Sequence, residues 1–452
     1  MNSISTNTQP ITTANTKFVS TAIDYTNGPI HIGHAYEKVL ADVYARATGS
    51  QLITGTDEHG QKVEQSAAKN AVTPYQWATK WSEFAQGVAN KLQIGYSEFI
   101  RTTNPQHIAY VQNALQTLWD QKLIYKDSFS GWFSVGLEQF VKEGDKVDGE
   151  WPKHLGEVVW QEEEAYFFKL TAFKEWHSDF LKTVEVIPSH RLGQLNPELK
   201  DLCISRPLNR LSWGIPLPFD PNFVTYVWFD ALLNYVSITH TTPELHVIGK
   251  DIVHPHLIYY PIILKALGLT IPTRFAVHGW LTIKGEKAAK SNGTATDFDG
   301  LIERYGVDGL RLLLAGACKF GEDADIESLD ARYTTQCCNL IGNTLYRITK
   351  ISSRPAYTHL AAPTVAFEAT DYVNLDASEV IAKSLALCTE INKLLDTTKP
   401  WESDQVEAIT TCLEKCARIV TQLKPICPNL TFPTTVIPFK ALPKPPKLDL
   451  KT

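Results

Sequence analysis

A buried strand, a turn, a helix and a second strand follow one another near the start of this chain, and that order leaves few folds open. Phe18-Val19-Ser20-Thr21-Ala22-Ile23 reads as a buried strand and Tyr25-Thr26-Asn27-Gly28-Pro29 as a turn. His31-Ile32-Gly33-His34 then opens a helical run from Ala35 to Ala47. Gln51-Leu52-Ile53-Thr54-Gly55-Thr56 reads as the next strand, ending in Asp57-Glu58-His59-Gly60. Helical periodicity continues from Pro74 to Leu92 and from Pro105 to Gln121. Alternation of this kind predicts a parallel α/β sheet with its site at the strand C-termini.

The chemistry of the first helix start is specific. Two imidazoles at a helix N-terminus lie beside backbone N–H groups and the positive end of the helix dipole, which favours phosphate oxygens. Far downstream, Lys287-Ala288-Ala289-Lys290-Ser291-Asn292-Gly293 places two ammonium groups on a Gly-flanked loop suited to a leaving pyrophosphate. The pair suggests an enzyme in which a carboxylate attacks the α-phosphate of ATP and expels pyrophosphate.

A chain of 452 residues has room for about two to four domains. Its net charge of -6 excludes a global basic field, so contact with nucleic acid must use local patches. Eight cysteines include no CxxC pair, which suggests neither a zinc knuckle nor a disulfide framework. Cys412 and Cys416 lie one helical turn apart and read as core thiols. A reducing compartment fits this usage, the cytoplasm by default, with an organelle left open. No apolar run approaches the roughly 20 residues of a membrane span. Met1 is the only methionine, for which we have no structural reason.

The expected organisation is a disordered tail (1–16), the first half of a Rossmann-like catalytic domain (17–121), an inserted connective domain (122–220), and the second sheet half with the lysine loop (221–327). A helical bundle (328–427) and a proline-rich, extended tail (428–452) follow. The insertion is marked by short aromatic-rich segments such as Ser130-Gly131-Trp132-Phe133. The α/β pattern resumes at Val224-Thr225-Tyr226-Val227-Trp228-Phe229-Asp230 and at Leu245-His246-Val247-Ile248-Gly249-Lys250-Asp251.

These residues resemble the methionyl-tRNA synthetases, a class I aminoacyl-tRNA synthetase family, over roughly Lys17 to Trp401. The resemblance rests on an ordered set: Asn27-Gly28-Pro29-Ile30 with the His-Ile-Gly-His tetrad, Thr54 to Lys62, Tyr226 to Ala231, and Val247 to Asp251. Val277-His278-Gly279-Trp280, Phe320 to Asp325 and Lys399-Pro400-Trp401 complete it. The tetrad alone would be weak, since four residues recur by chance.

The resemblance implies roles. His31 and His34 would stabilise the pentavalent α-phosphate, Gly33 would let adenine approach the backbone, and Lys287 and Lys290 would hold pyrophosphate charge. Gly249, Asp251 and His256 would meet the rest of ATP. Asp57 would pair with the amino-acid ammonium, and Ala22, Ile23, Tyr25, Trp228, Ala231, Leu232, Tyr235 and His278 would form the methionine slot. Trp228 and Tyr235, seven residues apart, either share one helical face or simply fill core. Norleucine-like shapes would be hard to reject, because exchanging sulfur for methylene offers little discrimination. The anticodon readers would be Asn339, Asn343, Arg347 and Trp401, supported by Asn392. The first three are spaced to share one helix face, and Trp401 could stack an unpaired base, worth about 1–3 kcal/mol.

Two departures stand out. Where the family reads Lys-Met-Ser-Lys-Ser, this chain reads Lys287-Ala288-Ala289-Lys290-Ser291, which removes an apolar anchor and a hydroxyl. Activation would slow by about tenfold for each ~1.4 kcal/mol of transition-state stabilisation lost. Family members often carry zinc knuckles in the insertion. Here no cysteine lies between Lys122 and Lys200, and Ser134 stands where a ligand cysteine is common. The insertion must fold on aromatics such as Trp132, Trp151, Trp160, Phe167 and Phe168. The implied reactants are L-methionine, ATP with Mg2+, and tRNA(Met), with no zinc and no membrane. A monomer is the expected state, since no appended C-terminal dimerisation domain is apparent. The altered lysine loop leaves open a tRNA-independent paralogue that activates an amino acid for a small acceptor.

Overall fold

The computed structural model describes residues 17–135, 139–195, 198–283, 286–287, 296–326, 328–434 and 439–442. The tail expected at 1–16, the lysine-loop residues Ala288 to Gly293 and most of the proline-rich end lie outside the described residues. The chain divides into two compact units. One comprises Met1–Pro29, Gln51–Gln86 and Ser97–Phe275; the other comprises Ile30–Ser50, Gly87–Tyr96 and Ala276–Thr452.

The first unit is built on a seven-stranded sheet. Its central strand, Phe18–Thr21, runs parallel to Gln51–Asp57 on one side and to Leu245–Gly249 on the other, with Val19 opposite both Leu52 and Leu245. Val19, Leu52, Ile53, Leu245, Val247 and Ile248 are all buried, as expected of parallel strands covered on both faces. Gly55 allows strand Tyr96–Arg101 to pass against it: a Cβ there would sit 2.0 Å from the Ile100 carbonyl oxygen. Strand Phe223–Thr225 does not join this sheet. It pairs antiparallel with Ser205–Pro207 instead, and the chain then turns into two short helices, Val227–Leu232 and Asn234–Ser237. Trp228 and Tyr235 therefore sit on separate helices.

The insertion is a four-stranded antiparallel sheet whose long hairpin pairs Ile124–Ser134 with Val158–Phe168. Ser134 is buried and donates to the Leu155 carbonyl. Trp132 packs edge-on to Trp160 (ring centroids 5.2 Å apart) and against Trp151 (5.7 Å). The Lys146 ammonium lies over Trp132 at 5.3 Å and over Trp151 at 5.0 Å. Aromatic and cation–π contacts of this kind contribute roughly 0.5–1.5 kcal/mol each.

The second unit carries the helix Ile32–Thr48, the helix Phe298–Ala315 and the C-terminal helices. Arg311 is fully buried. It donates to Asp42 at 2.6 Å, and to the carbonyls of Ile426 at 2.7 Å, Pro425 at 2.9 Å and Leu92 at 3.1 Å. A guanidinium buried this deeply is tolerable because carboxylate and carbonyl acceptors surround it. Helices Asn343–Ser352, Ala377–Thr398 and Val406–Leu423 form the bundle, with Cys388, Cys412 and Cys416 in its core. A π-helical stretch, Tyr333–Gly342, precedes the first of them. In the C-terminal segment, buried Phe439 meets Tyr333 edge-on, ring centroids 6.3 Å apart. No helix among the described residues is long and apolar enough to cross a membrane.

Candidate active site and tRNA-reading surface

His31 is the N-cap of helix Ile32–Thr48, and it caps with its own ring. Nδ1 of His31 accepts from the Gly33 N–H at 3.1 Å, and Nδ1 of His34 accepts from the His31 N–H at 3.1 Å. Two orphan donors of the first turn are satisfied this way. An Nδ1 that accepts leaves the ring proton on Nε2, so each neutral ring presents an N–H donor at its far edge. The rings lie 3.9 Å apart. A Cβ on residue 33 would approach His31 Cε1 to 2.9 Å, so Gly33 also protects this cap.

The same helix start is bonded to the end of the lysine-loop region. The Ile32 N–H donates to Thr296 Oγ1 at 3.2 Å, the first described residue beyond Lys290. On the near side, Lys287 lies in a two-residue strand, Glu286–Lys287, paired with Thr282 and Ile283. Lys290 itself lies outside the described residues. One helical turn into the helix, Glu37 accepts from His278 Nε2 at 2.9 Å, while His278 Nδ1 faces the Gly279 carbonyl at 2.7 Å. The ring thus bridges the Glu37 carboxylate and the Gly279 carbonyl. The resemblance puts His278 in the methionine slot; one of its ring nitrogens is bonded to the helix that begins at His31.

In the first unit, Asp57 ends strand Gln51–Asp57 and is buried. Its carbonyl is fixed by Thr26, which donates from N at 3.0 Å and from Oγ1 at 3.1 Å. The next residue, Glu58, is fully buried and receives Arg101 at 2.7 and 3.1 Å and the Thr56 hydroxyl at 2.8 Å. Ala22, Ile23 and Tyr25 follow the central strand and are half-buried, as is Trp228; Ala231, Leu232 and Tyr235 are buried. The Tyr235 hydroxyl donates to His256 Nε2 at 2.8 Å, and His256 Nδ1 donates to the Ile252 carbonyl at 2.8 Å. Burial pushes the His256 pKa down to about 4, which keeps this ring neutral. The resemblance puts His256 with ATP; its hydrogen bond is to the Tyr235 wall. Gly249 ends strand Leu245–Gly249, and Asp251 follows, exposed, in the turn Lys250–Ile252.

The expected tRNA-reading residues all lie in the second unit. Asn339, in the π-helical stretch, and Asn343 are exposed. Arg347 donates to Asn392 Oδ1 at 2.7 Å, and Asn392 donates to Thr344 Oγ1 at 3.0 Å, so Asn392 holds the guanidinium in place. Trp401 is 43% exposed. The preceding turn is set by Lys399 in the left-handed region (φ 44°) and by Arg354 and Tyr357 donating to the Pro400 carbonyl at 3.2 and 3.1 Å.

Among the described residues, no group of His, Cys, Asp and Glu is arranged to hold a metal ion. Several polar groups here carry no assignment from the sequence. Glu58, His59 and Asp230 stood inside recognised motifs, but their partners come from elsewhere in the chain. Ser20, which bonds His246 Nδ1 at 2.7 Å, and His107 carried no motif signal at all.

A family model described as tRNA synthetases class I (M) matches residues 17–157 and 154–349. A methionine–tRNA ligase of Deinococcus radiodurans is 37% identical over 84% of this chain, and the match spans 59% of that protein. One from Caldanaerobacter subterraneus is 33% identical over 96% of this chain and 73% of that protein. The chain thus spans about three-fifths to three-quarters of these relatives' lengths. A Mycobacterium tuberculosis methionyl-tRNA synthetase, solved with methionyl-adenylate, superposes with a TM-score of 0.81 at 29% identity, covering 91% of this chain and 92% of that one. By motif order, by sequence and by fold, this chain belongs to the methionyl-tRNA synthetase family of class I tRNA synthetases.

Proposed function

We propose that this protein is a methionine–tRNA ligase. The carboxylate of L-methionine attacks the α-phosphate of ATP, forming methionyl-adenylate and releasing pyrophosphate; the terminal ribose hydroxyl of tRNA(Met) then displaces AMP. Mg2+ enters with the nucleotide, as part of the substrate. No protein nucleophile is needed, and the rate comes from positioning and from stabilising charge that develops in the transition state.

In this reading His31 and His34 donate from Nε2 to the α-phosphate, and Lys287 and Lys290 take the pyrophosphate charge. Gly249 and Asp251 meet the ribose. Asp57 takes the ammonium, with Ala22, Ile23, Tyr25, Trp228, Ala231, Leu232, Tyr235 and His278 around the side chain, and His256 belongs with the ATP-binding residues. Asn339, Asn343, Arg347 and Trp401 read the anticodon.

The observation that carries the proposal is the pair of self-capping imidazoles on a helix whose first N–H, that of Ile32, is bonded to Thr296. The exposed Trp401 and the Arg347–Asn392 bond favour a tRNA substrate over the small-acceptor paralogue. ATP–pyrophosphate exchange and aminoacylation of tRNA(Met), run on the wild type, Lys290→Ala and Trp401→Ala, form the test. Lys290→Ala should lose exchange, and Trp401→Ala should lower charging alone. Wild-type exchange without charging would favour the paralogue, and no exchange at all would end the proposal. A single-protomer mass in light scattering is the expected state.

A further inference from the structure

Asp230 is fully buried, and each of its oxygens is taken by an imidazole. His59 Nδ1 lies 2.6 Å from Oδ2 and His107 Nε2 lies 2.7 Å from Oδ1. Burial alone would push this carboxyl up; the charge of His59 and the hydrogen bonds of both histidines outweigh it and hold the group at about 2. The chain of donors continues. His107 Nδ1 lies 2.8 Å from Ser237 Oγ, which lies 3.2 Å from the Asn234 carbonyl. His107 thus links the Asp230 carboxylate to the Ser237 hydroxyl. A buried anion with every partner in place is a rigid joint; removing one partner leaves uncompensated charge.

What this joint connects gives it meaning. Asp230 lies on helix Val227–Leu232, between Trp228 and the Ala231–Leu232 pair. His59 follows Asp57 by two residues at the end of strand Gln51–Asp57. Ser237 lies on the short helix Asn234–Ser237 that carries Tyr235, and His107 on helix Pro105–Asp120. One carboxylate is thus tied both to the segment holding the ammonium partner and to the segments holding the side-chain wall.

We propose that Asp230 is a positioning residue that fixes the span between Asp57 and the Trp228–Tyr235 wall, so that the enzyme gauges the length of the amino acid from its ammonium to its side-chain end. The proposal rests on the methionine-activating reading above. Asp230 touches no reacting atom in it. Loosening the joint lets the wall drift relative to Asp57, which weakens methionine and relaxes rejection of longer or shorter thioethers and alkyls, while ATP is held by other residues.

The experiment is ATP–pyrophosphate exchange on wild type, Asp230→Asn and Ser237→Ala, with methionine, ethionine and norvaline as substrates. For Asp230→Asn the methionine KM should rise about tenfold or more, since misplacement of about 1 Å is worth up to 100-fold. The ATP KM should change less than about twofold, and the preference for methionine over ethionine and norvaline should shrink. Ser237→Ala should shift the same ratios in the same direction by a smaller factor, and decides the matter if Asp230→Asn does not fold. An unchanged methionine KM, or equal rises for methionine and ATP, would overturn the proposal. Wild type that exchanges nothing with methionine would instead remove the activity reading.

Discussion

The residues proposed to hold the amino acid and those proposed to read the tRNA are held in opposite ways. Behind Asp57, Trp228 and Tyr235 lies a set of buried, paired polar groups: Ser20 with His246, His59 and His107 on Asp230, Tyr235 with His256. In the bundle, Asn339 and Asn343 are exposed, Trp401 is 43% exposed, and only Arg347 is steadied by a neighbour, Asn392. Recognising a small, flexible amino acid requires walls that do not yield, because one methylene is worth only about 1–3 kcal/mol. Reading splayed bases uses exposed amides and a stacking ring that can adjust to the partner.

If that contrast is right, damage on the two sides should look different. The largest effect is expected for Tyr235→Phe, which strands His256 Nε2 in a buried site at a cost of ~1–3 kcal/mol. Both the melting temperature and the methionine KM should suffer; a normal melting curve would break the comparison. Trp401→Ala should lower tRNA charging about tenfold through lost stacking, with no change in melting temperature. A drop in thermal stability there would mean the ring is core after all.

Acid should separate the two regions as well. Burial lowers the pKa of His246 well below its usual value and that of His256 to about 4, so both rings are neutral in the folded state. Unfolding lets them take protons near their ordinary value of about 6.5. Their contribution is therefore complete above about 6.5 and erodes as pH falls toward the folded values. Burial pushes the bundle thiols Cys388, Cys412 and Cys416 upward, so they do not titrate over that range. Hydrogen exchange at pH 7 and pH 5, corrected for intrinsic rate, should show the strands around His246 loosening before the bundle helices do. The smallest effect is expected for Asn339→Ala, under about threefold in charging, since an exposed amide loses one contact and strands nothing.

The sequence made some of this visible and hid the rest for identifiable reasons. The strand–helix–strand order and the motif positions of His31, Gly33 and Asp57 are local, written within a few residues of one another. The Asp230 joint is not, because His59 meets Asp230 across 171 positions and His107 meets it across 123. The self-capping of His31 and His34 sat in plain sight as a three-residue spacing, but polar rings at a helix start read first as ligand groups. Trp228 and Tyr235 have a spacing compatible with one helix, and the break near Leu233 carries no glycine or proline to announce it. The π-helical stretch at Tyr333–Gly342 escaped for a related reason: a period slightly above that of an α-helix still keeps residues four apart on roughly one face.

The rings at His31 and His34 grip the very backbone that presents them. Either imidazole could gain positive charge only by placing a proton on Nδ1, which would evict the amide hydrogen it now receives. Extra attraction for an incoming nucleotide would thus arrive together with a frayed helix start.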